Sequence, residues 1–254
     1  MSINSITVKK GCLYMNEWKE AYRLAAFEIK ASIKSFLLIL IFYIVMSLIF
    51  MLSFDVYLEG EFKFFDFMFI LIFFMFPAWM KGKEFQMQKM DGDLWTAPSI
   101  IMLQQLPISK NIIVKSRFII HAFCSFPFQL VLFIAMPLMS ENFRDMMTPI
   151  AYIAFLLIWL GLSISVGFIM AASEAGGNFN TSTIVKSFIY LVIGAVALYF
   201  MFPLLSENGF IHWTMSLATE WTLLSVIVAI VLSIAGCKYW QADMRKTIKK
   251  TEYL

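Results

Sequence analysis

Apolar and polar residues along this chain come in long blocks, with little alternation at short range. Six apolar blocks of roughly twenty residues, long enough to cross a hydrocarbon core as helix, lie near Phe36–Phe54, Phe64–Met80, Phe118–Met139, Ile150–Ala172, Ile184–Leu204 and Thr222–Trp240. Ahead of them the pattern changes. From Asn16 onward, Trp18, Ala21, Tyr22, Ala25, Ile29, Ile33 and Phe36 recur at helical spacing, while Lys19, Arg23, Lys30 and Lys34 gather near the opposite face. Asn16 suits an N-cap, and Glu17 and Glu20 suit the positive end of a helix dipole. The pattern predicts an amphipathic helix along the membrane interface, anchored by Trp18, Tyr22 and Ile29, before the chain turns into the first span. A helix in the cytosol is the alternative. Residues 1–15 carry no clear pattern.

The longest polar interval, 81–117, carries Lys81, Lys83, Lys89, Lys110, Lys115 and Arg117 against Glu84, Asp91 and Asp93. Inside it lies an apolar island, Ile100 to Leu106, which includes Leu103, Gln104 and Gln105. Pro98 and Ser99 are good first-turn residues, and Pro107 disfavours helical geometry at Leu106. Ser109 can then cap a new helix running through Ile112, Ile113 and Val114. This predicts a helix of about two turns held between basic anchors at the membrane surface, its apolar face free for a partner outside the bilayer.

Composition sharpens the class. Hydrophobic residues make up 61% of the 254, including 27 Phe, and the mean hydropathy is +0.79; these values belong to membrane-embedded chains. Counting Lys and Arg on alternate sides of the six blocks places 18 on one side and only Lys63 and Arg144 on the other. That asymmetry predicts cytoplasmic termini and a cytoplasmic 81–117 loop. The first thirty-five residues are too charged for a secretory signal. The expected fold is an all-α polytopic membrane protein. Residues 1–35 form a cytoplasmic region with the interfacial helix; residues 36–254 form the six-span domain with its loop and a short basic tail.

Candidate chemistry is sparse. Asp66 sits just inside the second block, where an ionisable group is a functional candidate, but its place near the outer boundary suggests contact with headgroups or water. His121 lacks a second ligand at metal spacing and reads as a packed histidine. Pro127 and Pro137 predict kinks in the third span. Ser163, Gly167 and Ala171, with Gly161 and Ser165 beside them, predict close helix packing in the fourth. Ser173 to Asn178 reads as a short turn and a possible second contact point, and Cys12, Cys124 and Cys237 read as free structural thiols. No phosphate-cradling glycine loop, metalloprotease helix or nucleophile elbow is present. The sequence therefore assigns no catalytic, cofactor-binding or metal-binding residue.

Leu106-Pro107-Ile108-Ser109-Lys110-Asn111-Ile112-Ile113-Val114-Lys115-Ser116-Arg117 resembles the Leu-Pro-Ile/Val-Ser-Arg/Lys signature of six-span permease subunits of type-2 ATP-binding cassette exporters. That family also has an amphipathic helix before the first span, here Asn16 to Ser35, and a cytoplasmic coupling helix between spans two and three. The resemblance implies a plasma-membrane, multi-pass permease that pairs with a second permease subunit and with separate ATPase subunits. ATP and Mg would bind in those partners. Ile100, Leu103, Gln104, Leu106, Pro107, Ser109 and Lys110 would form the coupling site. Here Lys81 to Leu94 is richer in charge and Met than the family pattern, and the segment between spans five and six is short. Phe and Met facing a lateral cavity would suit a hydrophobic or amphipathic substrate such as a peptide, antibiotic or lipid; facing lipid is the alternative for the same residues. The alternatives are a non-transporting membrane scaffold or sensor that recruits a cytoplasmic partner through loop 81–117, and a secondary carrier, for which the sequence shows no internal repeat.

Overall fold

In a computed structural model, the structure describes residues 3–62, 64–79, 81–180 and 209–251, with a few positions between 182 and 197. Most of the predicted fifth span, Ile184–Leu204, and the polar segment Ser206 to Asn208 lie outside the described residues, as does Lys63. The chain runs as α1 (Ile3–Ala31), α2 (Ile33–Met51), α3 (Phe54–Leu58), α4 (Phe65–Trp79), β1 (Gln88–Asp91) and β2 (Leu94–Thr96). Then follow α5 (Pro98–Gln104), α6 (Lys110–Met139), α7 (Glu141–Met146), α8 (Pro149–Ala175), β3 (Gly177–Asn178), α9 (Phe210–Glu220) and α10 (Thr222–Lys250). Among the described residues three helices, α6, α8 and α10, are long and apolar enough to cross a membrane. A fourth is present if the bent pair Asn16–Ala31 and Phe36–Met51, meeting at 78°, counts as one span. The architecture is that of an all-α membrane protein carrying one small sheet.

The long helices give the molecule two ends, with α8 and α10 running parallel to each other and α6 antiparallel to both. Lys110, Ala175 and Lys250 lie at the basic end, and Met139, Pro149 and Thr222 at the opposite one. Between them the core is aromatic. Phe65, Phe69 and Phe73 recur every fourth residue on α4, so they line one face, and all three are fully buried. Trp159 of α8 meets Phe69 and Phe73 edge-on at 4.8 and 5.1 Å, and Phe133 of α6 closes on Phe73 at 5.8 Å. Phe54, Phe128, Phe143 and Phe155 are buried in the same cluster. These rings face neither lipid nor a lateral cavity; they hold the bundle together.

Proline explains the polar groups inside this core. Pro77 has no N–H to offer the carbonyl of Phe73, and Gln129 Nε2 donates to that carbonyl at 3.5 Å. Pro137 likewise frees the carbonyl of Phe133, which accepts from the Tyr152 hydroxyl at 2.7 Å. A neighbouring helix re-satisfies each freed group, as an apolar environment demands. α6 runs unbroken from Lys110 to Met139 through both Pro127 and Pro137.

The small residues of α8 pack as expected, on two faces. A Cβ on Gly161 would lie 3.0 Å from Ala229 of α10, and one on Gly236 of α10 would lie 2.5 Å from Ser165 Cα. A π-helical turn, Ser163–Gly167, interrupts α8 here. Trp240 Nε1 donates to the Ser165 carbonyl at 2.8 Å, and Ser233 Oγ to that of Gly161 at 3.3 Å. Gly167 and Ala171 face the other way, against Phe74 and the basic-end core.

At the opposite end Asp66 departs from its expected contact with headgroups or water. It is buried, and its carboxylate accepts from the backbone N–H groups of Phe210 (2.6 Å) and Ile211 (2.9 Å), which open α9. The Tyr57 hydroxyl donates to it at 2.8 Å. Asp66 is therefore an N-cap supplied from a helix distant in sequence, placed where an anion is favoured by the exposed donors and the dipole. Gly209 completes the turn: its φ of +96° and the approach of Asp66 leave no room for a Cβ. Ser140 donates to Asp55, tying α7 to α3.

Candidate functional site at the basic end

Three strands that the sequence reading lacked build the floor of this end. β1 and β2 form a hairpin, with Gln88 opposite Thr96 and Lys89 opposite Trp95, and β3 pairs antiparallel with β2 through Leu94–Asn178 and Trp95–Gly177. Asp91-Gly92 is the turn signal in the sequence, and Gly92 adopts φ +49°. Gly176 (φ +61°) brings the end of α8 against β2 so closely that a Cβ would overlap the Trp95 carbonyl. In the segment 173–178, read from sequence as a short turn and a possible second contact point, Glu174 to Gly177 are buried within the chain. Its Glu174 carbonyl accepts from Ala97 N at 3.1 Å and from Thr96 Oγ1 at 3.0 Å.

Pro98 begins α5 at its first turn, and Ser109 caps α6, its Oγ accepting from Ile112 N at 3.4 Å. Both signals were readable locally. The orientation of α5 was not. Ile100 is fully buried and Leu103 nearly so, packed in a cluster with Ile113, Val114, Phe118, Phe168, Met244 and Ile248. The expectation that this apolar face lacked a home within the chain is corrected: α6, α8 and α10 cover it. Gln104 is half-buried, and Lys110 is exposed but reaches the Ile248 carbonyl at 3.4 Å. Leu106, Pro107 and Ser109 are exposed, and so are Met102 and Gln105. Met102 lies on α5 and Gln105, Leu106 and Pro107 in the turn that follows it, so these four form the available surface. Beside it lies a groove of about 370 Å³ lined by Glu20, Leu24, Pro107, Ile108, Ser109 and Ile112.

The basic anchors also divide. Lys83, Lys89 and Lys110 are exposed, whereas Lys81, Lys115 and Arg117 are buried struts. Lys81 pairs with Glu174 at 2.5 Å, joining the segment after α4 to the end of α8. Lys115 pairs with Glu17 of α1 at 2.7 Å and lies 5.0 Å from the Trp18 ring centroid. Arg117 pairs with Glu28 of α1, donates to Ser99 Oγ of α5 at 3.0 Å, and stacks over Phe85 at 5.4 Å. The hydrogen bond from Lys115 holds the Glu17 carboxyl below its ordinary value. Burial pushes Glu28 up, against the pull of the Arg117 guanidinium.

This network rotates α1 relative to the expected arrangement. Ala21 and Ala25 are buried against α6, with Trp18 and Ile29 half-buried beside them, so most of the predicted lipid-facing stripe faces protein. Tyr22 alone of the three anchors is well exposed, at 65%.

Among the described residues no three His, Cys, Asp or Glu side chains come together to hold a metal. His121 is packed edge-on to Phe168 at 5.8 Å. One exposed patch, at the end of α5 and in the turn after it, stands on a base that touches α1, α6, α8 and α10. No known protein family, curated protein or solved structure matches the chain.

Proposed function

We propose that this chain is the six-span permease subunit of a type-2 ATP-binding cassette exporter. In this reading the spans are α2, α4, α6, α8, the segment 184–204 and α10, with both termini cytoplasmic in a cell membrane. A separate ATPase hydrolyses ATP with Mg, a second permease subunit completes the pore, and a hydrophobic or amphipathic substrate leaves the cell. The motif Leu106 to Arg117 carries the resemblance. The observation that carries the mechanism is the rigid mounting of α5: its inner face is locked by Ile100, Leu103 and Arg117, and its outer face is bare. A push on Met102, Leu106 and Pro107 is transmitted through packed side chains to α6, α8 and α10 without loss in a flexible loop. The sharp bend between α1 and α2 fits an interfacial helix leading into a first span.

The test separates docking from folding. The double substitution Met102→Asp and Leu106→Asp changes exposed positions, so the full chain should remain folded and inserted. It should lose an ATP-binding cassette ATPase that copurifies with wild type from the same membranes, together with the ATP hydrolysis that partner brings. Leu103→Asp instead places a carboxylate in the basic-end core, at a cost of several kcal/mol, and should impair folding itself. Retention of the ATPase by the double variant would refute docking at this face. Wild type that brings no such ATPase would favour a scaffold.

A further inference from the structure

In sequence, the segment from Asn16 to Lys34 is close to neutral: Lys19, Arg23, Lys30 and Lys34 against Glu17, Glu20 and Glu28. The fold separates these charges. Glu17 and Glu28 turn inward and pair with Lys115 and Arg117. All four cations are exposed, and none has a hydrogen-bond or ion-pair partner among the described residues. At 100° per residue the three on α1, Lys19, Arg23 and Lys30, fall within about 40° of helical arc, and Lys34 follows the break, at the start of α2. Glu20 is the one carboxylate of this segment left outside; Glu84 approaches only at the far end, where Ser32 donates to it at 2.8 Å. The basic strip is bordered on one side by exposed Tyr22 and on the other by exposed Phe27. A strip meant only for water has no use for exposed rings along both edges. Rings and aliphatics at the acyl boundary with cations at headgroup level are what an interface requires.

From this charge separation we propose that the outward face of α1 selectively binds anionic lipid headgroups, with Lys19, Arg23 and Lys30 as the binding residues. The inward ion pairs create the selectivity, because they remove two of the three carboxylates that would oppose it. The inference stands apart from the permease reading, since it needs only that the chain lies in a bilayer.

The experiment places the full chain in phosphatidylcholine bilayers containing a minor fraction of phosphatidylglycerol. It compares the association of spin-labelled phosphatidylglycerol with that of spin-labelled phosphatidylcholine. Wild type should enrich the anionic lipid by roughly fivefold at low salt, the factor expected for one well-placed cation. The preference should collapse toward parity at molar salt and in the variant K19Q/R23Q/K30Q. The variant K19R/K30R should keep it, and K246Q/K249Q, which removes charge from the tail, should leave most of it. Should the glutamine variant fail to assemble, Glu20→Gln decides, because removing the remaining carboxylate must raise the enrichment. Equal enrichment in wild type and the glutamine variant, or no rise in Glu20→Gln, overturns the proposal. Tight binding of soluble polyphosphate without lipid preference overturns it as well, and would make the face a site for a soluble polyanion.

Discussion

Arg117 carries more of the basic end than any other side chain. It is fully buried, and it touches α1 through Glu28, α5 through Ser99 and the turn at residues 83–85 through Phe85. A buried pair is weak evidence of net stabilisation, but removing one partner strands the other charge. Arg117→Ala should therefore destabilise the protein by about 3–5 kcal/mol. The double variant E28Q/R117M, which removes both charges and keeps the bulk, should recover most of that loss. Thermal unfolding of the purified full chain measures both. Equal melting temperatures for Arg117→Ala and the double variant would mean that the stranded carboxylate is not the cause. Much of this site escapes a residue-by-residue reading, because Lys81, Lys115 and Arg117 look like Lys83 and Lys89 until their partners are known.

At the scale of elements, α1 is clasped to α6 by two ion pairs over a face of small residues. Glu17 supplies a pH-dependent part of that clasp. Its carboxyl is held below the ordinary value of 4.5 by the Lys115 hydrogen bond. A depressed carboxylate contributes stability that is complete above its unfolded value and fades as pH falls through the folded one. The melting-temperature gap between wild type and Glu17→Gln should thus be constant above about pH 5.5 and close below the ordinary carboxylate value. A gap that persists into strongly acidic solution would assign the effect of Glu17 to packing. The helix itself was readable from its periodicity, as were the Ser109 cap and the Pro98 start. The face that α1 turns inward was not, since Trp18, Ala21, Tyr22 and Ala25 satisfy lipid or protein equally well on pattern alone.

For the whole molecule, the two ends differ in kind. One is a knot of ion pairs and a small sheet; the other is closed by Asp66, Tyr57 and the start of α9. The lopsided distribution of Lys and Arg predicts that the knot faces the cytoplasm. In a background lacking the native cysteines, a cysteine replacing exposed Glu61 should react with an impermeant thiol reagent in intact cells. One replacing Asp91, in the hairpin, should react only after lysis. Labelling of position 91 in intact cells would reverse the orientation.

What the sequence determined by itself is whatever a residue's near neighbours decide. Apolar blocks become helices, Pro98 and Ser109 start helices, and small residues four apart on α8 allow α10 to approach, because propensity, capping and periodicity act over a few positions. Tertiary structure alone decided what depends on distant partners. Asp66 caps a helix that begins at Phe210, Lys81 neutralises Glu174, and β2 finds β3 across more than eighty residues. Ile100 and Leu103 illustrate the boundary between the two. Their spacing announces an apolar face, but a pattern reports only that a face must be covered. Whether a partner or the chain's own α6, α8 and α10 covers it is settled by which surfaces meet when the bundle closes.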